Sequence, residues 1–320
     1  MNKNQEPKSN QKIPEENSTK ETSVITQTVG YKAKAFEARN LVFFLLLVFG
    51  LNSIMWVFLG IFDLKMPTSF TDPALPLWVL VVLPAACGPT IAAFLMTAIT
   101  EGKSGVKALW RRFWNRNLSI KWLLVTLLAY ELMRLVANFV ARMIDGQPYP
   151  IVDTSNPLWT IIPLFIQAFI SSGMGEEFGW RGYALPRLQA KWNALVSSIV
   201  LGLICASWHI PAFFIPNLPL YQTNFWEWVP LILLSSVLFT WIFNNTKGSV
   251  LAAVFFHASL NASVVVLPTY SSLWYYYGIF LLVVILIVVI FGPKDLVRPK
   301  SEPAGIPATG KVVRGEKHAL

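Results

Sequence analysis

Glu176 and Glu177 stand side by side, and Arg181 follows four residues later, in Ser-Ser-Gly-Met-Gly-Glu-Glu-Phe-Gly-Trp-Arg-Gly (171–182). An apolar run beginning at Leu158 leads directly into this stretch. Charged side chains in hydrocarbon are costly, so where they occur they are usually paired or functional. On a helix Glu177 and Arg181 are i and i+4 and can neutralise each other. Glu176 is rotated by about 100° from its neighbour and has no local cation. The plain alternative is that the stretch is only the polar end of a helix.

Two histidines argue against that alternative. Of the three in the chain, His318 lies near the carboxyl end, whereas His209 and His257 fall in apolar runs. A single histidine in an apolar helix is commonly a satisfied interior residue, but two of them with an unpaired glutamate make a candidate site. Asn261 is four residues after His257 and shares its helix face, so both can donate hydrogen bonds toward one point. Interhelical hydrogen bonding is the simpler use of that pair. Depth is a partial check: Glu176 is roughly 20 Å from Lys191 along a helix and His257 roughly 15 Å from Lys247, while His209 counts to a deeper roughly 25 Å.

These groups support hydrolysis by either of two assemblies. In one, Glu176 is a general base for water that His209 helps to hold, and His257 and Asn261 stabilise an oxyanion. In the other, Glu176, His209 and His257 bind zinc, which activates the water. The sequence contains no His-Glu-x-x-His to decide between them. Glu177 and Arg181 complete the candidate site, chiefly as an architectural pair.

The chain of 320 residues is 54% hydrophobic and only 13% charged, against about 25% charged in soluble domains. An integral membrane protein follows. Net charge +9 would suit a nucleic-acid partner, but the basic residues lie in short segments between apolar runs and no nucleic-acid motif is present. The partners expected are membrane lipid and a membrane-associated peptide or protein. Cys87 and Cys205 both fall inside apolar runs and read as core residues rather than a disulfide.

Eight runs approach the roughly 20 apolar residues of a spanning helix: 41–62, 77–99, 122–143, 158–175, 194–208, 228–243, 249–267 and 273–291. Pro84, Gly88 and Pro89 are expected to kink the second. With the amino terminus inside, inner segments hold 23 of the 26 Lys and Arg residues, which predicts cytoplasmic termini. Residues 1–39 are polar and are expected to form a disordered tail, and 293–320 a second tail without assigned structure. The domain between them covers 40–292. Segment 105–117 interleaves Leu109, Trp110, Phe113 and Trp114 with basic residues and reads as an amphipathic helix on the inner membrane surface. Glu131 and Arg134 are i and i+3 in the third run and are expected to pair inside the bundle.

The three motifs in order resemble the CPBP intramembrane proteases, which include type II CAAX prenyl endopeptidases and bacteriocin-processing relatives. The family pattern is Glu-Glu-x-x-x-Arg, Phe-x-x-x-His and His-x-x-x-Asn on separate membrane helices. Residues 176–181 and 257–261 match fully. The second motif keeps His209 but has Cys205 where the family has Phe. The resemblance covers about residues 105–265. It implies an all-α bundle of eight transmembrane helices in a bacterial plasma membrane and an endopeptidase activity. Glu176, His209 and His257 would be catalytic, with Asn261 beside the oxyanion. A non-enzymatic membrane protein, either an immunity scaffold or a transporter, is the competing reading. Transporters often carry internal repeats, and none is seen here.

Overall fold

The computed structural model describes residues 37–61, 86–114, 118–146, 157–214, 223–267 and 273–298, with positions 73, 76, 77, 80, 152, 220 and 221 between them. These residues form helices and turns, with no strand among them. The principal helices are α1 (Ala38–Ile61), α2 (Gly88–Phe113), α3 (Ile120–Asp145), α4 (Ile161–Ala168), α5 (Met174–Glu177), α6 (Leu185–Gln189), α7 (Ala194–His209), α8 (Phe225–Asn245), α9 (Val250–Val266) and α10 (Trp274–Phe291). Among the described residues, five segments are long and apolar enough to cross a membrane unaided: Ala38–Leu59, Ile120–Asp145, Ala194–Phe213, Phe225–Asn245 and Trp274–Phe291. The protein is an all-α integral membrane bundle.

The bundle is built around α9, which packs against α3, α4 and α8. Its small and apolar faces permit this: Ala252, Ala253, Val254, Phe256 and Ala258 are all completely buried. On one side, α1 and α2 cover the chain from Phe178 to Leu188. On the other, α3, α8 and α10 close around Tyr130, Phe239, Phe256 and Phe280. Side chains start several helices cleanly. Asn193 accepts from the Val196 amide at 2.8 Å, and Ser249 from that of Ala252 at 3.2 Å, satisfying donors that a helix start leaves open.

Several sequence expectations change. Gly88 and Pro89 begin α2, where the missing proline amide costs nothing. Pro84 lies outside the described residues. The end of the second span and the amphipathic segment are two helical pieces that meet at a kink at Gly102, with φ 65° and ψ −163°. The amphipathic part is also not simply a surface helix. Leu109 and Phe113 are buried, and the Phe113 and Trp110 rings stack on Phe178 at 5.6 and 5.7 Å. Only Trp110 and Trp114 keep substantial exposed area for a membrane surface.

The carboxyl-terminal segment is folded at its start. The Ala194 amide donates to the Lys294 carbonyl at 2.7 Å, and Asn244 donates to that of Asp295 at 2.8 Å. Leu296 is fully buried. The absence of periodicity over 293–298 therefore reflects a turn pinned by other helices. The expected tails over 1–36 and 299–320 lie outside the described residues. In α3, Glu131 and Arg134 both reach distant chain. The Ser259 hydroxyl donates to Glu131, and Arg134 Nε donates to the Leu267 carbonyl at 2.9 Å.

Candidate active site

The first motif lies in a rod of alternating helix types. Two π-helical stretches, Phe169–Gly173 and Phe178–Ala184, flank the single α-turn Met174–Glu177 that carries both glutamates. Such π-stretches occur frequently at functional sites because the wider turn re-aims the following side chains. Close neighbours hold the rod in place. A Cβ on Gly179 would lie 2.5 Å from backbone atoms of Pro89, and one on Gly173 would lie 2.9 Å from Val254. Only glycine lets α2 and α9 approach this closely, as small residues do between membrane helices generally.

Within this turn the two carboxylates face different partners. Glu177 is fully buried and accepts two hydrogen bonds from Arg181 Nη1, each 3.0 Å. The i, i+4 pair expected from the sequence is thus formed. Arg181 also lies over the Phe239 ring, with Cζ 3.8 Å from its centroid. The same Glu177 oxygen accepts from His257 Nδ1 at 2.7 Å, a partnership that spacing could not reveal. Glu176 accepts from the indole Nε1 of Trp180 at 3.1 Å. Among the described residues it makes no salt bridge.

The two histidines approach from α7 and α9, and the charge of Glu176 acts on both of them. His209 Nδ1 donates to the Cys205 carbonyl at 2.8 Å. Its ring lies against Trp208 and Trp228, with centroids 4.7 and 5.1 Å away. Its greater sequence depth resolves in the hairpin of α6 and α7, where Glu176 and His209 stand at similar counts on either side of the 190–193 turn. Both Nδ1 atoms are therefore occupied, which leaves each Nε2 to face a ligand. Asn261 is exposed and donates to Ser172 Oγ at 2.7 Å, so one of its two amide protons remains available.

The sequence reading missed the supports. Trp180 is fixed by Trp208 and by Phe44 of α1, with centroids 5.9 and 6.1 Å away. Asn52 of α1 donates to the Trp208 carbonyl at 2.7 Å. An aromatic bridge thus runs from Glu176 through Trp180 and Trp208 to His209, and α1 clamps it. Trp180 is i+4 from Glu176, so the rule that paired Glu177 with Arg181 could have found it.

The zinc assembly fits less well. Among the described residues, no three His, Cys, Asp or Glu side chains are arranged to hold a metal ion.

Comparisons with known proteins bear on the class of protein. Residues 157–263 match the family model "Type II CAAX prenyl endopeptidase Rce1-like", and that segment contains all three motifs. CAAX prenyl protease 2 of Methanococcus maripaludis is 24% identical over 208 residues, covering 62% of this chain and 76% of the relative. The chain is a membrane-embedded peptidase. Over residues 157–263 it is similar to the Rce1-like endopeptidases, as the CPBP resemblance of the three motifs implied.

Proposed function

We propose that this peptidase cleaves membrane-associated peptides with a water activated by Glu176. The observation that carries the reading is the division between the paired glutamates. Glu177 is occupied by Arg181 and His257, whereas Glu176 takes only a neutral indole donor. A general base must reach its proton through a hydrogen bond or one water. The Nδ1–H of His209 is given to Cys205, so its Nε2 is the acceptor that holds the same water.

The steps follow from those protonation states. Glu176 takes a proton from water while the oxygen adds to the scissile carbonyl. The oxyanion accepts from Asn261 and from His257 Nε2–H. In that role His257 carries both ring protons, and the Glu177 carboxylate offsets its charge. Collapse breaks the C–N bond, and the leaving amine takes the proton back from Glu176. Arg181 and Glu177 hold His257 and do not touch substrate.

The relative named a CAAX prenyl protease supports a prenylated carboxyl-terminal peptide as one substrate class for this chain. The concentration of Lys and Arg in 101–121, 181–191 and both ends supports cytoplasmic termini in a bacterial plasma membrane. The testing experiment compares a farnesylated peptide and its unmodified form in liposomes. It is paired with capture of bound partners by Glu176→Gln and mapping of their cleavage by the native protein. Expected is cleavage by the native protein and none by the variant. Retained cleavage by Glu176→Gln removes Glu176 from the mechanism.

A further inference from the structure

The geometry points to a phosphatidylethanolamine site in the groove between α1 and α2. The groove encloses about 670 Å³, within the range of roughly 300–1,000 Å³ typical of ligand pockets. Its lining is graded along the helices. At one end lie Glu37, Arg39, Asn40 and Thr100; the rest is apolar, with Phe43, Leu46, Leu95 and Ile99 among its walls. The helices run antiparallel here, so both become apolar in the same direction. From Glu37 to Leu47 the wall extends for about 15 Å at the helical rise, enough for much of an acyl chain.

The polar end selects the headgroup. Glu37 and Arg39 are both exposed, and the Asn40 side-chain amide donates to Glu37, holding its carboxylate in place. A guanidinium matches a phosphate, and a carboxylate accepts hydrogen bonds from a primary ammonium. Opposite charges two residues apart on one helical start therefore complement a zwitterionic head that carries both groups. A trimethylammonium cannot donate to Glu37, and an anionic glycerol head leaves Glu37 facing like charge. The level is that of a membrane boundary, because the charged Glu37 and Arg39 are exposed on α1 and the charged Lys103 is exposed just beyond Thr100 on α2. A lipid seated here braces α1, whose Phe44 and Asn52 hold Trp180 and Trp208.

The test uses the full chain extracted from vesicles containing equal parts of phosphatidylethanolamine, phosphatidylcholine and phosphatidylglycerol. Retained lipid is counted by native mass spectrometry. One phosphatidylethanolamine per chain is expected in preference to the others. Arg39→Ala is expected to lower its retention about fivefold, the equivalent of one basic residue at a membrane surface. Glu37→Gln is expected to abolish the preference over phosphatidylcholine. Leu95→Trp fills the apolar wall from an exposed position and is expected to remove the lipid, with a thermal midpoint equal to that of the native chain stripped of lipid. Equal retention of all three lipids, or retention unchanged in Arg39→Ala and Glu37→Gln, overturns the assignment and leaves only the ordinary lipid annulus.

Discussion

His257 Nδ1 lies 2.7 Å from Glu177 Oε1, and that carboxylate is also gripped by Arg181 Nη1 at 3.0 Å from each oxygen. One buried anion thus joins a cation one turn away to an imidazole eighty residues distant. In the proposed mechanism the second glutamate of the motif is a positioning group, and its two partnerships separate in experiment. Arg181→Ala leaves Glu177 buried with half its compensation, and breaking such a pair typically costs about 3–5 kcal/mol. Folded yield and thermal midpoint in detergent should both drop. Glu177→Gln keeps the shape but weakens the grip on His257, and hydrogen bonds to charged groups contribute about 1.5–3 kcal/mol. Turnover should fall about 10- to 100-fold more than stability loss explains. Normal folding of Arg181→Ala with lost turnover alone would instead place Arg181 against substrate.

Glu176→Gln should abolish cleavage while the bundle stays folded, since the amide keeps the hydrogen bond from Trp180 and loses only basicity. His257→Ala should lower the rate by about 10²–10³, the usual effect of removing one oxyanion donor. Cleavage by the native protein should survive thorough chelation, with metal content measured on the same sample. One zinc per chain, with activity lost to chelator and restored by zinc, would reject the carboxylate-only mechanism.

Trp180→Phe deletes the indole donor to Glu176 and leaves most of the packing. A fall in kcat of about tenfold or more is expected, with KM and thermal midpoint little changed. Because Glu176 then loses its only hydrogen-bond donor among the described residues, the pH profile of kcat should move as well. A merely structural tryptophan would lower stability and leave that profile in place.

Cys205 is buried, and its carbonyl fixes His209. Its thiol also lies within the electrostatic reach of Glu176, Glu177 and Arg181. Cys205→Phe, which restores the family's residue, should cost about 1–3 kcal/mol through overpacking. Equal stability with higher activity would show that the pocket has room for the ring.

Reporter fusions after Lys103 and within 143–157 should report opposite sides of the membrane, the first cytoplasmic. Finding both on one side would exclude the proposed orientation.

The parts of this site that were legible in sequence were those set by helical spacing. Glu177 and Arg181 met as i, i+4 neighbours, and α3 and α8 fell close to their apolar runs. Tertiary pairing was not legible: nothing local ties Glu177 to His257, Arg134 to Leu267, or Asn244 to Asp295. The π-stretches were equally hidden. Their composition does not differ from an α-helix, and the close approach of Pro89 and Val254 to Gly179 and Gly173 is a property of the packed bundle. The break at Gly102 was a different matter, since a single glycine within a mixed apolar and basic segment gives no sign of whether the rod ends or continues.

The clamp of Phe44 and Asn52 on Trp180 and Trp208 sets a limit on modularity. Residues 157–263 contain every group given a role in the proposed chemistry, yet side chains that hold Trp180 and Trp208 in place come from α1, more than a hundred positions upstream. A transplant of that segment into another membrane scaffold would carry the reactive groups without their alignment. Shortening the chain from its amino end past Asn52 would likewise leave a molecule with the complete signature and a loosened Glu176. If hydrolysis takes place at the signature as proposed, the competence to perform it is distributed across the bundle.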